Sequence, residues 1–278
     1  MNASLKACWN IRRSRRDGTD RFLSSLLRRT TIENGKIEII SLNNPSSKNA
    51  LTRCLMLEMN QFLSDLAKSD SARVLVIRSN VEKVFSSGHH LDEVSSQHDV
   101  PGLFALCSDM MRRIRTMPQA VIAEVDGLAT AAGCQLVASC DLAIASDTSS
   151  FATPGVNLGL FCSTPAVALS RSVGHKHAMH MLLTGDIIDA AHAHRIGLIN
   201  IVVPSSLLQD EVRNLCLKIA GKSGEAIRIG KANYWKQVET GEVEAYVMSS
   251  ATMVANLEQM DAAEGIKAFK ERRVPSFK

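Results

Sequence analysis

The chain has 278 residues, of which 45% are apolar and 22% charged, enough to build one sizeable core with an appendage. No stretch approaches the ~20 apolar residues of a membrane-spanning helix. At 4% aromatics, a surface of base-stacking platforms is not indicated.

The net charge of +4 belongs to one end. Residues 1–30 hold eight basic side chains (Lys6, Arg12, Arg13, Arg15, Arg16, Arg21, Arg28 and Arg29) against Asp17 and Asp20. Taking these from the 32 basic and 28 acidic residues of the chain leaves 24 and 26, so the body is slightly acidic. A nucleic-acid partner argued from the overall charge would rest on the wrong segment. An Arg-rich, acid-poor leader with scattered apolar residues has the composition of a mitochondrial transit peptide, so residues 1–30 are assigned that role and the matrix is the expected location. Seven cysteines, an odd number without any CxxC, argue for a reducing compartment and against a disulfide framework or a zinc site.

The body begins near residue 31. Lys36–Leu42 reads as a strand, and Asn43–Ser47 breaks it. Leu55, Met59, Phe62, Leu63 and Leu66 then mark one face of a helix over Thr52–Lys68. Arg73–Ser79 is a buried strand, giving a crossover unit. Val84–Glu93 is a loop around Ser-Ser-Gly-His-His. Leu103–Met117 is a second amphipathic helix, ended by Pro118. Val121–Val125 is a strand, Asp126-Gly127 a turn, and a helix of small residues runs to about Ser139. Asp141–Ser146 and Ile199–Val203 are further strands. Beyond Ser206 only helical patterns remain, at Leu207–Ile219, Val243–Met260 and Asp261–Phe269. The reading is an α/β core over 31–205 and a helical tail over 206–278, whose apolar stripes call for packing or oligomerisation.

Two segments draw attention for chemistry. Phe85–Asp92 and Val125–Leu136 each follow a strand and place glycine where the chain must turn tightly. The second opens a helix, whose free N–H groups favour developing negative charge. Two such loops together would form an oxyanion hole.

These segments carry a resemblance. The run VIAEVDGLATAAGCQLVASCDLAIASDTSSFATPGVNLGL is similar to the signature of the crotonase, or enoyl-CoA hydratase/isomerase, superfamily. Asn44-Pro45, Asn49-Ala50-Leu51, Phe85–Leu91, Leu183–Gly185, Ala193–Leu198, Val202–Pro204 and Phe269–Pro275 match in order, so the resemblance covers residues 31–278. Within the superfamily, Phe85–His89, Ala129–Asp141 and Ser150–Asn157 resemble a mitochondrial group.

The resemblance implies a spiral of ββα turns with a C-terminal helical oligomerisation region, giving a homotrimer or homohexamer. It implies an acyl-CoA ligand whose thioester oxygen meets the main-chain N–H groups of His89 and Ala132. Coenzyme A would pass Ser87, His90, Leu91 and Asp92. No separate cofactor is implied. The two hydratase glutamates fall at Gln135 and Gly155. Gln can hold a water but has no usable pKa, and Gly offers nothing. Each such group is worth about 10²–10⁴-fold in rate, so efficient hydration is not expected. His90 stands where the family usually has Asp, and Asp92 where relatives often have Lys.

Three readings stay open: an acyl-CoA enzyme using other residues, such as a decarboxylase or isomerase; a non-catalytic acyl-CoA sensor or pseudoenzyme; and a hydratase with residual activity. His89 and His90 could form a new acid–base pair, although one capping the next helix while the other faces solvent is the plainer account. His175, His177, His180, His192 and His194 lack a carboxylate or Cys at ligand spacing, so no metal is expected. Arg112, Arg113 and Arg115 read as a solvated helix face.

Overall fold

The computed structural model describes residues 26–95 and 99–277. Residues 1–25, which hold most of the leader, lie outside the described residues.

The chain alternates between two sheets. Strands β1 (Leu27–Ile32), β2 (Ile37–Leu42), β3 (Val74–Ser79), β5 (Ala120–Val125), β7 (Leu142–Ser146) and β10 (Ile201–Val203) form the larger sheet in that spatial order. Among the described residues of this sheet, only the β1–β2 pair is antiparallel. Strands β4 (Val84–Ser86), β6 (Leu128–Thr130), β8 (Ser150–Ala152) and β9 (Ile188–Asp189) form the smaller sheet. The pairs β3–β4, β5–β6 and β7–β8 each place one strand in each sheet before a helix, which is the ββα spiral expected from the resemblance.

Helix α1 (Arg53–Leu66) follows β2; Thr52 Oγ1 caps it by accepting from the Leu55 N–H at 3.2 Å. It buries Leu55, Met56, Met59, Leu63 and Leu66. The short α2 (Leu91–Ser95) precedes α3 (Val100–Thr116), which starts three residues earlier than its apolar stripe indicated. Asp99 caps α3 through the Gly102 N–H, and Pro101 fits its first turn. Helix α4 (Ala132–Ser139) is buried throughout. Its small residues let it pass close to β4 and β6 of the smaller sheet. Helices α5 (Ser163–Leu169), α6 (His175–Thr184) and α7 (Ala190–Arg195) complete the spiral.

The two faces of the larger sheet are sorted by the period of two along each strand. Ile40, Leu42, Leu75, Ile77, Val121, Ala123 and Val125 join the main core with α1, α3 and α4. Ile37, Val74, Val76, Ile122 and Ile144 face the other way. There they meet Leu208, Val212, Cys216 and Ala220 of α8 (Leu208–Ala220). So α8, read from sequence as tail, covers the second face of the sheet.

The start of the body also shifts. Leu26 and Leu27 are buried in the core, and Arg28 and Arg29 lie in β1. Arg29 pairs with the buried Glu38 through Nε at 2.8 Å and Nη2 at 3.1 Å. The strand was invisible in composition because two of its six residues are arginines.

Helix α9 (Gly224–Gln237) has no buried residue and gave no stripe in the sequence. It is tied down by Lys231, whose Nζ donates to Asp141 Oδ2 at 2.6 Å and to the carbonyls of Ile114 and Gln119. Helices α10 (Glu242–Leu257) and α11 (Met260–Lys270) follow. Of these two, only Ala268 is buried, while Val243, Tyr246, Val247, Val254, Leu257 and Phe269 are exposed.

Candidate functional site

The loop after β4 is held by side chains that brace main chain. Asn49, fully buried, donates from Nδ2 to Ser79 Oγ at 2.8 Å and to the Phe85 carbonyl at 3.1 Å. Ser86 Oγ donates to the Asn49 carbonyl at 2.8 Å. The Ser87 N–H donates to the Lys48 carbonyl at 3.1 Å, and the Leu51 N–H to the Gly88 carbonyl at 2.6 Å. With the chain before and after Gly88 fixed in this way, Gly88 adopts φ +84°. A β-carbon there would lie 2.9 Å from Thr130 O, 2.9 Å from Ala131 Cβ and 3.1 Å from Ala132 N. Only glycine lets this loop touch the start of α4. From the other side, a β-carbon on Gly133 would lie 2.4 Å from the Ser86 carbonyl.

At the head of α4, Ala131 takes φ +51° and ψ −119°, a conformation that favours glycine. It is held there by its N–H on the Ala152 carbonyl at 2.9 Å and by its carbonyl accepting from the Gln135 N–H at 3.0 Å. Among the described residues, no hydrogen bond uses the N–H of His89 or that of Ala132. The two positions predicted to form an oxyanion hole therefore sit on touching loops with their donors free, one of them at a positive helix end.

The remaining predicted residues fall around them. Ser87 is half-buried, its Oγ donating to the Ser47 carbonyl. Leu91 and Asp92 are exposed at the start of α2, and His90 Nδ1 lies 3.9 Å from Asp92 Oδ2. The two histidines part company. His90 is on the rim, whereas His89 turns inward, with Nδ1 3.4 Å from the Leu51 carbonyl and its ring edge-on to Phe104 at 5.1 Å. Neither side chain caps a helix. Burial lowers the His89 pKa; the Leu51 hydrogen bond and the charge of Glu93 oppose that shift without cancelling it.

Gln135 lies one turn into α4, 4% exposed, with Oε1 unpartnered. Thr153, at the end of β8, is fully buried with Oγ1 unpartnered. Gly155 follows in a short 3-10 turn over Pro154–Leu158. Its N–H donates to Cys162 Sγ at 3.3 Å, and its carbonyl accepts from the Leu160 N–H at 2.9 Å. A β-carbon on Gly155 would lie 2.8 Å from Cys162 Sγ and 3.0 Å from the Leu160 carbonyl. The direction a side chain would take from residue 155 is thus already filled. Burial raises the Cys162 pKa, and the Gly155 N–H works against that rise.

Sequence reasoning passed over Cys162 and Thr153. Cys162 sits among Leu160, Phe161 and Ser163, where it reads as a small hydrophobe. Two clefts, of about 590 Å³ and 460 Å³, lie elsewhere, where α9 meets the body. Neither is lined by any of the residues that the sequence marks, so the loops remain the candidate site. No group of three or more His, Cys, Asp or Glu residues gathers to hold a metal among the described residues. No helix among them is long and apolar enough to cross a membrane.

A sequence model described as enoyl-CoA hydratase/isomerase matches residues 32–278. The chain is 45% identical over 249 residues to enoyl-CoA hydratase domain-containing protein 3, mitochondrial, of Rattus norvegicus, covering 88% of this chain and 83% of the relative. The solved human enoyl-CoA hydratase domain-containing protein 3 superposes with a TM-score of 0.87 at 44% identity, over 91% of this chain and 100% of that one. An enoyl-CoA hydratase structure from Mycobacterium smegmatis gives a TM-score of 0.88 at 40% identity, over 91% and 99%. The mitochondrial relatives agree with the compartment read from the leader. A match of this extent, on a fold with the same two-sheet spiral, places the chain in the crotonase, or enoyl-CoA hydratase/isomerase, family.

Proposed function

We propose that the protein binds a coenzyme A thioester in the mitochondrial matrix, within fatty acid and lipid metabolism, holding the thioester oxygen between the N–H groups of His89 and Ala132. The observation that supports it most is the pair of free main-chain donors on loops close enough that a β-carbon at Gly88 would stand 3.1 Å from Ala132 N. One such donor is worth about 2.7–4 kcal/mol toward a developing oxyanion. Main-chain donors do not depend on the side chains around them, so Gln135 and Gly155 leave this part of the site intact.

Efficient hydration does not belong to the proposal. Neither Gln135 nor Gly155 can exchange a proton with water near neutral pH, and the surroundings of Gly155 leave a longer side chain no room. The exposed apolar row on α10 and α11 supports association of copies into a homotrimer or homohexamer. Coenzyme A would run past Ser87, His90, Leu91 and Asp92 toward solvent.

Titration calorimetry with butanoyl-coenzyme A tests the reading. Saturable binding to the full chain, lost in Gly88→Val, supports it. Absence of heat across the micromolar to millimolar range overturns it. Light scattering on the same sample tests the oligomer.

A further inference from the structure

Strand β1 falls inside the stretch that composition assigns to the leader, yet the body is built on it. Leu26 and Leu27 belong to the main core. The Leu26 carbonyl accepts from the Asn43 N–H at 2.8 Å. Every residue from Leu27 to Ile32 then pairs with β2, with Leu27 opposite Leu42 and Ile32 opposite Ile37. Arg29 and Thr31 together hold the Glu38 carboxylate, which is buried. The Arg29 guanidinium also lies over the Phe62 ring of α1, 5.3 Å from its centroid.

These contacts divide the eight basic residues of 1–30 into two sets. Arg28 and Arg29 are strand residues. Lys6, Arg12, Arg13, Arg15, Arg16 and Arg21 all lie before Leu26. A cut at residue 30 would take Arg29 from Glu38 and leave a buried carboxylate without its cation, the costly way to break such a pair. A cut between Arg21 and Leu26 spares every contact of β1. Taking those six cations with Asp17 and Asp20 from the 32 basic and 28 acidic residues leaves 26 of each.

We infer that a matrix endopeptidase cuts the chain between Arg21 and Leu26, so that the processed protein begins at one of residues 22–26 and keeps β1 whole. This rests on the reading of residues 1–30 as a mitochondrial leader. The step is hydrolysis of one peptide bond. Water adds across it: the carbonyl carbon takes the hydroxyl and becomes a carboxylate, and the nitrogen takes the proton and becomes the new amino terminus. Two limits set the window. The membrane potential acts on the leader's cations during import, and a cut beyond Arg21 removes every one that the sheet does not use. Strand β1 and the Leu26 carbonyl set the other limit. Residues 22–25 between them, Phe-Leu-Ser-Ser, carry no charge.

The experiment imports the full chain into isolated mitochondria and reads the amino terminus of the protein recovered from the matrix by mass spectrometry. The first residue is expected among 22–26. A product that begins at residue 27 or later overturns the inference, as does one that begins at residue 21 or earlier, or a chain left uncut in the matrix. A chain that stays outside would instead bring down the mitochondrial reading, and this inference with it. A second measurement tests the reason for the limit. Chains made without the leader, beginning at Leu26 and at Thr31, are unfolded in urea. The shorter chain should have the lower midpoint or fail to fold, and Glu38→Gln in it should recover part of the loss by removing the unpaired charge. Equal midpoints for the two chains would overturn the place given to β1.

Discussion

Two segments flank helix α4, and they hold their positions in opposite ways. The loop Ser86–Leu91 is braced from behind by Asn49, Ser86 and Leu51, and its forward N–H is left free. The segment Thr153–Cys162 is folded upon itself, with the N–H and carbonyl of Gly155 both used within the next seven residues. One segment leaves a main-chain N–H unbonded at His89. The other has closed over Gly155, which on the proposed reading stands where a hydratase has a glutamate. If the proposed function holds, binding and hydration are separable within one site, because they rest on different kinds of atom.

The sharpest test of that separation is to restore the carboxylates. Gln135→Glu with Gly155→Glu is expected to give little hydration of crotonyl-coenzyme A, because Cys162 Sγ lies in the path of the new side chain. Adding Cys162→Ala should raise the rate over the double variant by about 10²–10⁴-fold, followed by loss of the enoyl absorbance. Fast hydration by the double variant alone would show that the closed segment opens freely.

Next in size is Gly88→Ala. The left-handed backbone there costs a side-chain-bearing residue about 1–3 kcal/mol, before its contacts with Thr130 and Ala131 are counted. Thermal unfolding should shift down, and calorimetry should show weakened thioester binding. If both stay at wild-type values, the two loops do not depend on their close approach. Ala131→Gly acts in the other direction. Relief of its positive φ, offset by the entropy glycine adds to the unfolded chain, should leave a gain of about 1 kcal/mol in denaturant unfolding. A loss of stability would mean that the turn into α4 is unstrained.

The smallest effect is electrostatic. His89 has a folded-state pKa below its ordinary 6.5, mainly from burial. The unfolded chain therefore binds the proton first, and stability is lost as pH falls below 6.5 toward the folded-state value. His89→Asn should flatten that part of the urea midpoint against pH. An unchanged slope would place the titration on another group.

Most of the larger sheet, β1 aside, was legible because β2, β3 and β5 are rich in Ile, Val, Leu and Ala, and α1 and α3 carry clear stripes. The smaller sheet was not, since β4, β6 and β8 have three residues each and cannot show alternation. Its existence came only from the resemblance. Helix α9 escaped because a helix pinned by the hydrogen bonds of one half-buried lysine, Lys231, needs no apolar stripe. At the site, the glycines and the positions of His89, Ala132, Gln135 and Gly155 could be read directly. The inward turn of His89 could not, because it depends on Leu51 and Phe104, 38 residues before it and 15 after. Nor could the closure over Gly155, where Cys162 acts through its sulfur atom and not through its hydrophobicity.

Strand β1 has a consequence for handling the protein. It lies at the open edge of the larger sheet and pairs along the whole of β2. Its exposed residues include Arg28 and Arg29, the charged kind that keeps a sheet edge from recruiting another chain. A chain shortened to begin at residue 31 would bare β2, whose sequence IEIISL is short, apolar and rich in β-branched residues. Such a segment at an open edge templates strand addition and aggregation. A chain beginning at Leu26 keeps the edge covered, and the difference should appear as turbidity on warming.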